Sequence, residues 1–140
     1  HVAGSELDGR TTPFDNSLEG LLSKKKDFIG KRSLQKEAFI SPDREKLVGV
    51  VPLDKKTSIP EGSYIVRDAN AKLPNPKLGH VSASCWSVEY NNPFSLAIIK
   101  DGKNMIGQKL FALSPLKNKS IPVEIVSSHY VDPKGERVRS

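Results

Sequence analysis

The segment GHVSASCWS, residues 79–87, holds the chain's single Cys and single Trp beside one of its three His residues. A Cys and a His could form a nucleophile and its base, or supply two ligands to a metal ion. The alternating pattern instead predicts a strand, in which His80 and Cys85 face opposite sides about 16 Å apart and cannot act as a pair. His1 and His129 show no metal-ligand spacing either. We therefore expect no catalytic pair and no metal site, and we expect Cys85 to point into the core as a small apolar residue.

The run SKKKD, residues 23–27, is the second candidate. The chain has a formal net charge of +6, but its basic residues are clustered: residues 1–23 carry four acidic side chains and one basic one, whereas residues 24–36 carry six basic side chains and one acidic one. So small a cluster fits a short polyanion better than a nucleic-acid duplex, whose readers spread roughly six to ten phosphate contacts over a face. Nor do aromatic residues alternate with the basic ones, as they would in a single-strand stacking platform. A solvated basic surface is the alternative.

The composition indicates a globular chain outside the membrane. Hydrophobic residues make up 36% of the sequence, and no apolar run approaches the ~18 residues that a membrane-spanning helix needs. A single Cys cannot form a disulfide within the chain, and the first ten residues lack the pattern of a secretory signal. We therefore expect a cytoplasmic protein, in which His1 is an internal position of a longer polypeptide.

The second part of the sequence predicts an antiparallel barrel or jelly-roll-like sandwich of about six strands. The strand candidates are residues 46–51, 63–67, 79–86, 94–100, 109–113 and 122–127. Turn-forming residues, such as those at 60–62, 74–76 and 101–102, separate these candidates, and no helical pattern intervenes. The Ser-Pro-Asp turn that begins at Ser41 marks a boundary. The predicted domains are a short helical remnant over 1–45 and a barrel over 46–140, in a mainly β chain.

Two helices are predicted within residues 1–45. The first, over 11–23, has Thr12 as its N-cap and Pro13 at its first helical position. The residues Phe14, Leu18, Leu21 and Leu22 would form its apolar face. We expect this face to pack on the barrel or on a neighbouring molecule, because it would otherwise be an exposed apolar patch. The second helix, over 27–39, is shorter.

Several stretches, taken in order, resemble the aminomethyltransferase superfamily, which comprises the folate-binding T-protein of glycine cleavage and its relatives. They are GSELDGRTTPFDNSLEGLLSKKKDFIGKRSL, KLVGV and GHVSASCWS followed by FSLAII. Within the superfamily, IPEGSYIV, RDANAKLPNPKLGHVSAS and the ending IPVEIVSSHYVDPKGER are most similar to the alpha subunits of heterotetrameric sarcosine oxidases. T-proteins lack the C-terminal Asp-Pro-x-Gly-Glu-Arg motif. Dimethylglycine dehydrogenase is the relative that is most easily confused with these alpha subunits. Glu6, Val88 and Ser95 depart from the family pattern.

The resemblance implies a function for the longer protein. Its folate region would capture the one-carbon unit of oxidised sarcosine on tetrahydrofolate, giving 5,10-methylenetetrahydrofolate. Flavin and NAD would be bound outside this chain, which has no G-x-G-x-x-G loop. The implied partners are the rest of the alpha subunit and the other subunits, without nucleic acid or membrane. The family's catalytic Asp would lie upstream of His1, so this chain alone is expected to be inactive.

The resemblance also implies site residues. Lys26 matches the cation that holds the folate tail, and we take Lys24, Lys25 and Lys26 together as the candidate folate-binding residues. Glu6 and Asp8 are expected to cap backbone amides rather than transfer protons. The side chains of His80, Glu89 and Tyr90 are expected near the loop that faces the folate cavity. Two alternatives remain: the barrel of a T-protein or dimethylglycine dehydrogenase relative, and a non-catalytic subunit-contact barrel.

Overall fold

The computed structural model describes residues 1, 3–71 and 77–139. Six antiparallel strands form a closed barrel in the spatial order β1-β4-β3-β2-β5-β6. The strands are β1 (Glu45–Pro52), β2 (Tyr64–Val66), β3 (Gly79–Ser87), β4 (Asn92–Lys100), β5 (Lys109–Ser114) and β6 (Lys119–Val126). The mainly β class and the six-strand barrel are therefore confirmed, and the turn predicted at 74–76 lies outside the described residues.

The barrel closes because β1 pairs with two partners that lie far from it in sequence. One edge of β1 pairs with β4, from Glu45 opposite Lys100 to Val50 opposite Ser95, and the other edge pairs with β6. Alternate residues of each strand point inward, as the period of two requires. Ile59 from the β1–β2 connection and Met105 from the 3₁₀ turn at Gly102–Met105 join the inward strand residues in one core. The core residues are Val48, Val50, Ile59, Ile65, Val81, Ala97, Ile99, Met105, Leu110, Ala112, Ile121, Val123 and Ile125.

The two helices predicted before the barrel are wrong in extent and in type. Where the first was expected, the chain forms turns and a single 3₁₀ turn at Glu19–Leu21. Where the second was expected, the structure has a 3₁₀ turn at Ser33–Gln35 and a four-residue α-helix, α1 (Glu37–Ile40). Isolated short helices are marginal because nucleation is costly and few hydrogen bonds follow it. The segment instead takes its shape from polar contacts with the barrel.

The apolar residues of the first predicted helix do not share a buried face. Phe14, Leu18 and Leu22 are half-buried, whereas Leu21 is 81% exposed. Ser17 has a φ of 57°, which interrupts any helix at that point. Leu21 therefore does not pack on the barrel, and the alternative, packing on a neighbouring molecule, stays a prediction.

Cys85 lies on the outer surface of the barrel, so the prediction that it points into the core is wrong. The cause is a β-bulge. The register between β3 and β4 shifts between Val81 and Ala83, which inserts Ser82 as an extra residue and reverses the alternation after it. Beyond the bulge Ser84 points inward, where its hydroxyl lies 2.9 Å from the Ser95 hydroxyl and donates to the carbonyl of Ile59 at 2.7 Å.

The outward orientation of Cys85 predicts that Cys85→Ser has little effect on stability. Because the thiol is exposed, the substitution should alter the free energy of unfolding by no more than about 0.5 kcal/mol. Val81→Thr, on the same strand but 1% exposed, is the matched control and should cost about 1 to 3 kcal/mol because it buries a hydroxyl. Denaturant unfolding of the two variants measures the difference. A loss of comparable size in both would contradict the outward orientation.

Candidate functional site

Asp15 joins the segment before the barrel to the first barrel strand. Its carboxylate is almost fully buried. The Arg44 guanidinium donates to it from Nε at 3.0 and 3.1 Å and from Nη2 at 2.5 Å, while the Lys46 ammonium donates at 2.8 Å. The backbone N–H and hydroxyl of Thr12 each add a hydrogen bond of 2.9 Å. The Asp15 carboxylate thus connects Thr12, Arg44 and Lys46, and we call these four residues the Asp15 junction.

The charge balance around Asp15 decides its protonation. Burial raises the pKa of the carboxyl, but the hydrogen bonds from Arg44, Lys46 and Thr12 outweigh burial and lower the pKa to about 2. Arg44 also donates to the carbonyls of Arg10 at 2.7 Å and Ala38 at 3.2 Å. Through Arg44, Asp15 is thus also linked to the backbone at Arg10 and Ala38.

An apolar cleft of about 420 Å³ opens in this segment. Phe14, Leu22, Phe28 and Leu34 give it an apolar lining, which we call its floor, and the charged residues that also line it form what we call its edge. We call this feature the apolar cleft. Lys24 and Lys31 supply cations to it, and Glu19 supplies an anion. Glu19 is already paired with Lys103 on the barrel at 2.6 Å, and Lys31 is paired with Asp27 at 3.2 Å. Of these three charged lining residues, Lys24 is therefore the one whose charge is available to a ligand.

The structure distributes the three predicted folate-binding lysines unevenly. All three are exposed, but only Lys24 lines the apolar cleft. The backbone N–H of Lys26 donates to the Ser23 hydroxyl at 2.9 Å, which makes a turn at the start of the run. The role of Lys24, Lys25 and Lys26 as ligand residues stays a prediction.

A second, polar cleft of about 410 Å³ lies between the start of the chain and the barrel. Asp8 and His80 line it. The Asp8 carboxylate accepts the backbone N–H groups of Arg10 at 2.8 Å and Thr11 at 3.2 Å, which confirms its predicted capping role. Asp8 also pairs with the Arg10 side chain at 2.6 Å, and the hydrogen bonds from Arg10 lower the pKa of the Asp8 carboxyl.

Glu6, which was expected to cap backbone amides with Asp8, is buried at 1% exposure. The Ser5 hydroxyl donates to its carboxylate at 3.4 Å. The backbone carbonyl of Glu6 accepts hydrogen bonds from the Thr11 hydroxyl and the Asn16 side chain, both at 3.0 Å. The Glu6 backbone therefore links Thr11 and Asn16 to the start of the chain.

Glu89 and Tyr90 bind the C-terminal segment rather than lining either cleft. Arg137 donates to the Glu89 carboxylate at 2.5 and 3.2 Å, and this contact lowers the pKa of Glu89. The Tyr130 ring stacks on Phe94 with centroids 4.8 Å apart and lies 4.6 Å from Tyr90. These contacts give the DPKGER ending a structural role: it fastens the chain end to the β3–β4 turn.

The described part of the chain has neither a metal-binding group nor a membrane-spanning helix. No group of three or more His, Cys, Asp or Glu side chains there could hold a metal ion. Among residues 1, 3–71 and 77–139, no helix is long and apolar enough to cross a membrane. The apolar cleft and the polar cleft are the candidate binding sites.

Sequence reasoning missed the Asp15 junction and the floor of the apolar cleft. Asp15 and Arg44 are 29 positions apart, and no local spacing links them. Phe14 and Leu22 did give a signal, but their spacing of eight residues was interpreted as a helix face. The apolar residues on both sides of the lysine run were the signal from which a cleft with a basic edge could have been predicted.

The barrel defines the class of protein. Residues 45–132 match the family model described as the glycine cleavage T-protein C-terminal barrel domain. The chain belongs to this family. The match begins at the first residue of β1, whereas the predicted division of the whole chain into 1–45 and 46–140 stays a prediction.

Particular relatives refine this class. The chain is 36% identical over 140 residues to sarcosine oxidase subunit alpha of Rhizobium meliloti (strain 1021), covering 99% of this chain and 14% of that protein. It is 35% identical over 138 residues to the same subunit of Corynebacterium sp. (strain P-1), covering 97% of this chain and 14% of that protein. An aminomethyltransferase of Prochlorococcus marinus (strain NATL1A) is 33% identical over 102 residues, or 71% of this chain and 25% of that protein. The predicted resemblance is confirmed.

A solved structure has the same fold. The crystal structure of glycine cleavage system aminomethyltransferase T from Bartonella henselae matches with a TM-score of 0.65 at 18% identity, covering 92% of this chain and 34% of that one. In length, the chain spans only 14% of each of the two sarcosine oxidase subunits named above.

Proposed function

We propose that this chain is the C-terminal part of the folate-binding region of a sarcosine oxidase alpha subunit. In the longer protein, this region would transfer the one-carbon unit of oxidised sarcosine to tetrahydrofolate, giving 5,10-methylenetetrahydrofolate. The observation that carries the proposal is the apolar cleft with its basic edge, in a chain similar over 97–99% of its length to such subunits. Flavin and NAD would be bound elsewhere in the protein, and the partners would be the remaining subunits.

The apolar cleft fits one part of folate chemically. Tetrahydrofolate carries an aromatic p-aminobenzoyl ring that continues into a glutamate tail. Phe14 and Phe28 offer a floor on which such a ring can pack. Lys24 stands where it could pair with a tail carboxylate, and a flexible lysine can follow a tail of variable length.

The residues of this chain would bind and orient the cofactor rather than transfer protons. Tetrahydrofolate, when bound, supplies the nucleophilic nitrogens that take up the one-carbon unit. The apolar floor would exclude water from one side of the ligand, and the Asp15 junction would hold that floor against the barrel. Proximity matters, since an enclosed route lets a reactive one-carbon unit meet folate before water competes.

The test uses the full-length protein that contains this chain. Lys24→Glu and Lys26→Glu should each raise the Kd for polyglutamylated tetrahydrofolate by about threefold to tenfold, because reversal of an exposed charge replaces attraction with repulsion. The increase should be smaller for the monoglutamate form and should shrink as salt rises. Sarcosine oxidation without folate should stay unchanged.

Lys117→Glu, in the β5–β6 turn, is the matched control because it changes the charge equally at an exposed site. Equal effects of Lys24→Glu, Lys26→Glu and Lys117→Glu, or none from any, would show that the lysine run is only a solvated surface. A protein that binds no folate in a direct titration would favour the second candidate, a non-catalytic barrel that contacts other subunits. The exposed side chains of Trp86 and Val88 on the β3–β4 hairpin are the observation that favours this alternative.

A further inference from the structure

Lys31 closes the loop that carries the lysine run. Its ammonium donates to the backbone carbonyl of Lys26 at 3.0 Å and to the Asp27 carboxylate at 3.2 Å. The same ammonium lies 5.9 Å from the centre of the Phe28 ring, within the range of a cation–π interaction. We call residues 23–31 the lysine loop. One side chain thus ties the end of the loop to its middle.

The start of the lysine loop is also fixed. The Ser23 hydroxyl accepts the backbone N–H of Lys26 at 2.9 Å, and Lys26 is the residue whose carbonyl Lys31 holds. The peptide groups on both sides of Lys26 therefore have a side-chain partner. In the part of the chain that the structure describes, the ammonium groups of Lys24, Lys25 and Lys26 make no hydrogen bond or ion pair, so they are available to a ligand while the backbone that carries them is held.

Lys31 differs from those three lysines in its position as well. Its side chain is 29% exposed, and it lines the apolar cleft together with Lys24 and Phe28. A lysine that serves the loop and also borders the cleft connects the loop conformation to the shape of the cleft. Lys31 belongs to the basic cluster of residues 24–36 but lies outside the SKKKD run, five residues beyond Lys26.

We propose that Lys31 is a positioning residue that holds the lysine loop so that Lys24 stands at the edge of the apolar cleft. The inference rests on the proposed function, since it assigns Lys31 a role in the same folate-tail site. Its physical basis is preorganisation: a loop already held in its binding conformation loses less conformational entropy when a ligand binds. A surface ion pair such as Lys31–Asp27 contributes little to global stability, so the effect should show in the loop and in its ligand.

The experiment compares Lys31→Met, Lys31→Arg and Lys36→Met in the full-length protein. Lys31→Met keeps much of the apolar stem but removes the ammonium. Lys31→Arg can still donate to the Lys26 carbonyl and to Asp27. Lys36→Met is the matched control, because it removes the same charge from an exposed lysine that makes no side-chain hydrogen bond in the described structure.

Two readouts are needed. The first is the rate of tryptic cleavage after Lys24, Lys25 and Lys26, followed by mass spectrometry in the absence of ligand. The second is the ratio of the Kd for tetrahydrofolate monoglutamate to the Kd for its pentaglutamate. Lys31→Met should speed cleavage at the lysine run and reduce the Kd ratio about twofold to fivefold, the change expected when a contact of exposed lysines is lost. Lys31→Arg should restore both values, and Lys36→Met should leave cleavage unchanged and lower the ratio less.

The outcomes separate this inference from the proposed function. If Lys31→Met behaves like Lys36→Met in both readouts, Lys31 does not position the loop. The inference also fails if Lys31→Met speeds cleavage but leaves the Kd ratio unchanged, while Lys24→Glu lowers that ratio. If neither Lys24→Glu nor Lys26→Glu changes folate binding, the proposed function fails, and the folate role of Lys31 fails with it. Accelerated cleavage in Lys31→Met would then show only that Lys31 holds the loop.

Discussion

Gly79→Ala is expected to destabilise the barrel by about 3 kcal/mol or more, because overpacking against backbone cannot be relieved by a rotamer change. Gly79 begins β3 at the point where it pairs with Ile65 on β2 and Ile99 on β4. A Cβ at this position would overlap the carbonyl oxygen of Ile98 and lie 2.8 Å from the Cα of Ile99. Relief would require β3 and β4 to move apart, which breaks the ladder that closes the barrel.

Gly9→Ala is the control for this prediction. A Cβ at Gly9 meets no atom within 4 Å, and its backbone does not need the left-handed region. Its effect on the free energy of unfolding should stay within about 0.5 kcal/mol. Denaturant unfolding followed by circular dichroism measures both variants. If Gly79→Ala is as stable as Gly9→Ala, the close approach of β3 and β4 is not a constraint on the fold.

Asp15→Asn is expected to cost about 2 to 4 kcal/mol of unfolding free energy, because it leaves two half-buried cations without their anion. Arg44 and Lys46 have side-chain exposures of 23% and 12%, so water replaces little of the lost interaction. Asp27→Asn is the matched control. The Asp27 side chain is fully exposed in its pair with Lys31, and its replacement should cost less than about 0.5 kcal/mol.

The same carboxylate should make stability depend on acid pH. The pKa of Asp15 is about 2 in the folded chain, whereas the ordinary value of an aspartate side chain, which applies to the unfolded state, is 3.8. The charged form is thus favoured by folding, so its contribution of about 2 kcal/mol is fully present above pH 4 and is lost as the pH falls from about 4 through 2. Unfolding free energies measured at pH 5, 3.5 and 2.5 should fall less steeply in Asp15→Asn than in the parent chain.

Part of the acid dependence should survive the substitution. The pKa of Asp54 is also about 2, because the Thr57 hydroxyl and the backbone N–H groups of Thr57 and Lys56 donate to its carboxylate. Asp54 is exposed and is unaffected by the change at Asp15. Parallel pH profiles for the parent chain and Asp15→Asn would show that Asp15 is not the charged anchor of the junction.

The amino-acid sequence determined the secondary structure of the barrel to within a few residues. β5 was predicted over 109–113 and spans Lys109–Ser114, and β3 was predicted over 79–86 and spans Gly79–Ser87. These strands could be located because alternation and turn chemistry are local signals that lie within the strand itself or next to it. The resemblance to the aminomethyltransferase superfamily was likewise contained in the order of short motifs.

Only the tertiary structure decided which way the residues of β3 face and how residues 3–44 fold. The extra residue Ser82 reversed the alternation of β3 and placed Cys85 on the surface instead of in the core. The sequence around Ser82 has no local pattern that predicts a bulge. Around Leu18 the predicted helix is replaced by turns, and the Asp15 carboxylate there binds Arg44 and Lys46 from about thirty residues away. Local propensity is worth fractions of a kcal/mol per residue, whereas a buried ionic junction, once formed, is costly to break.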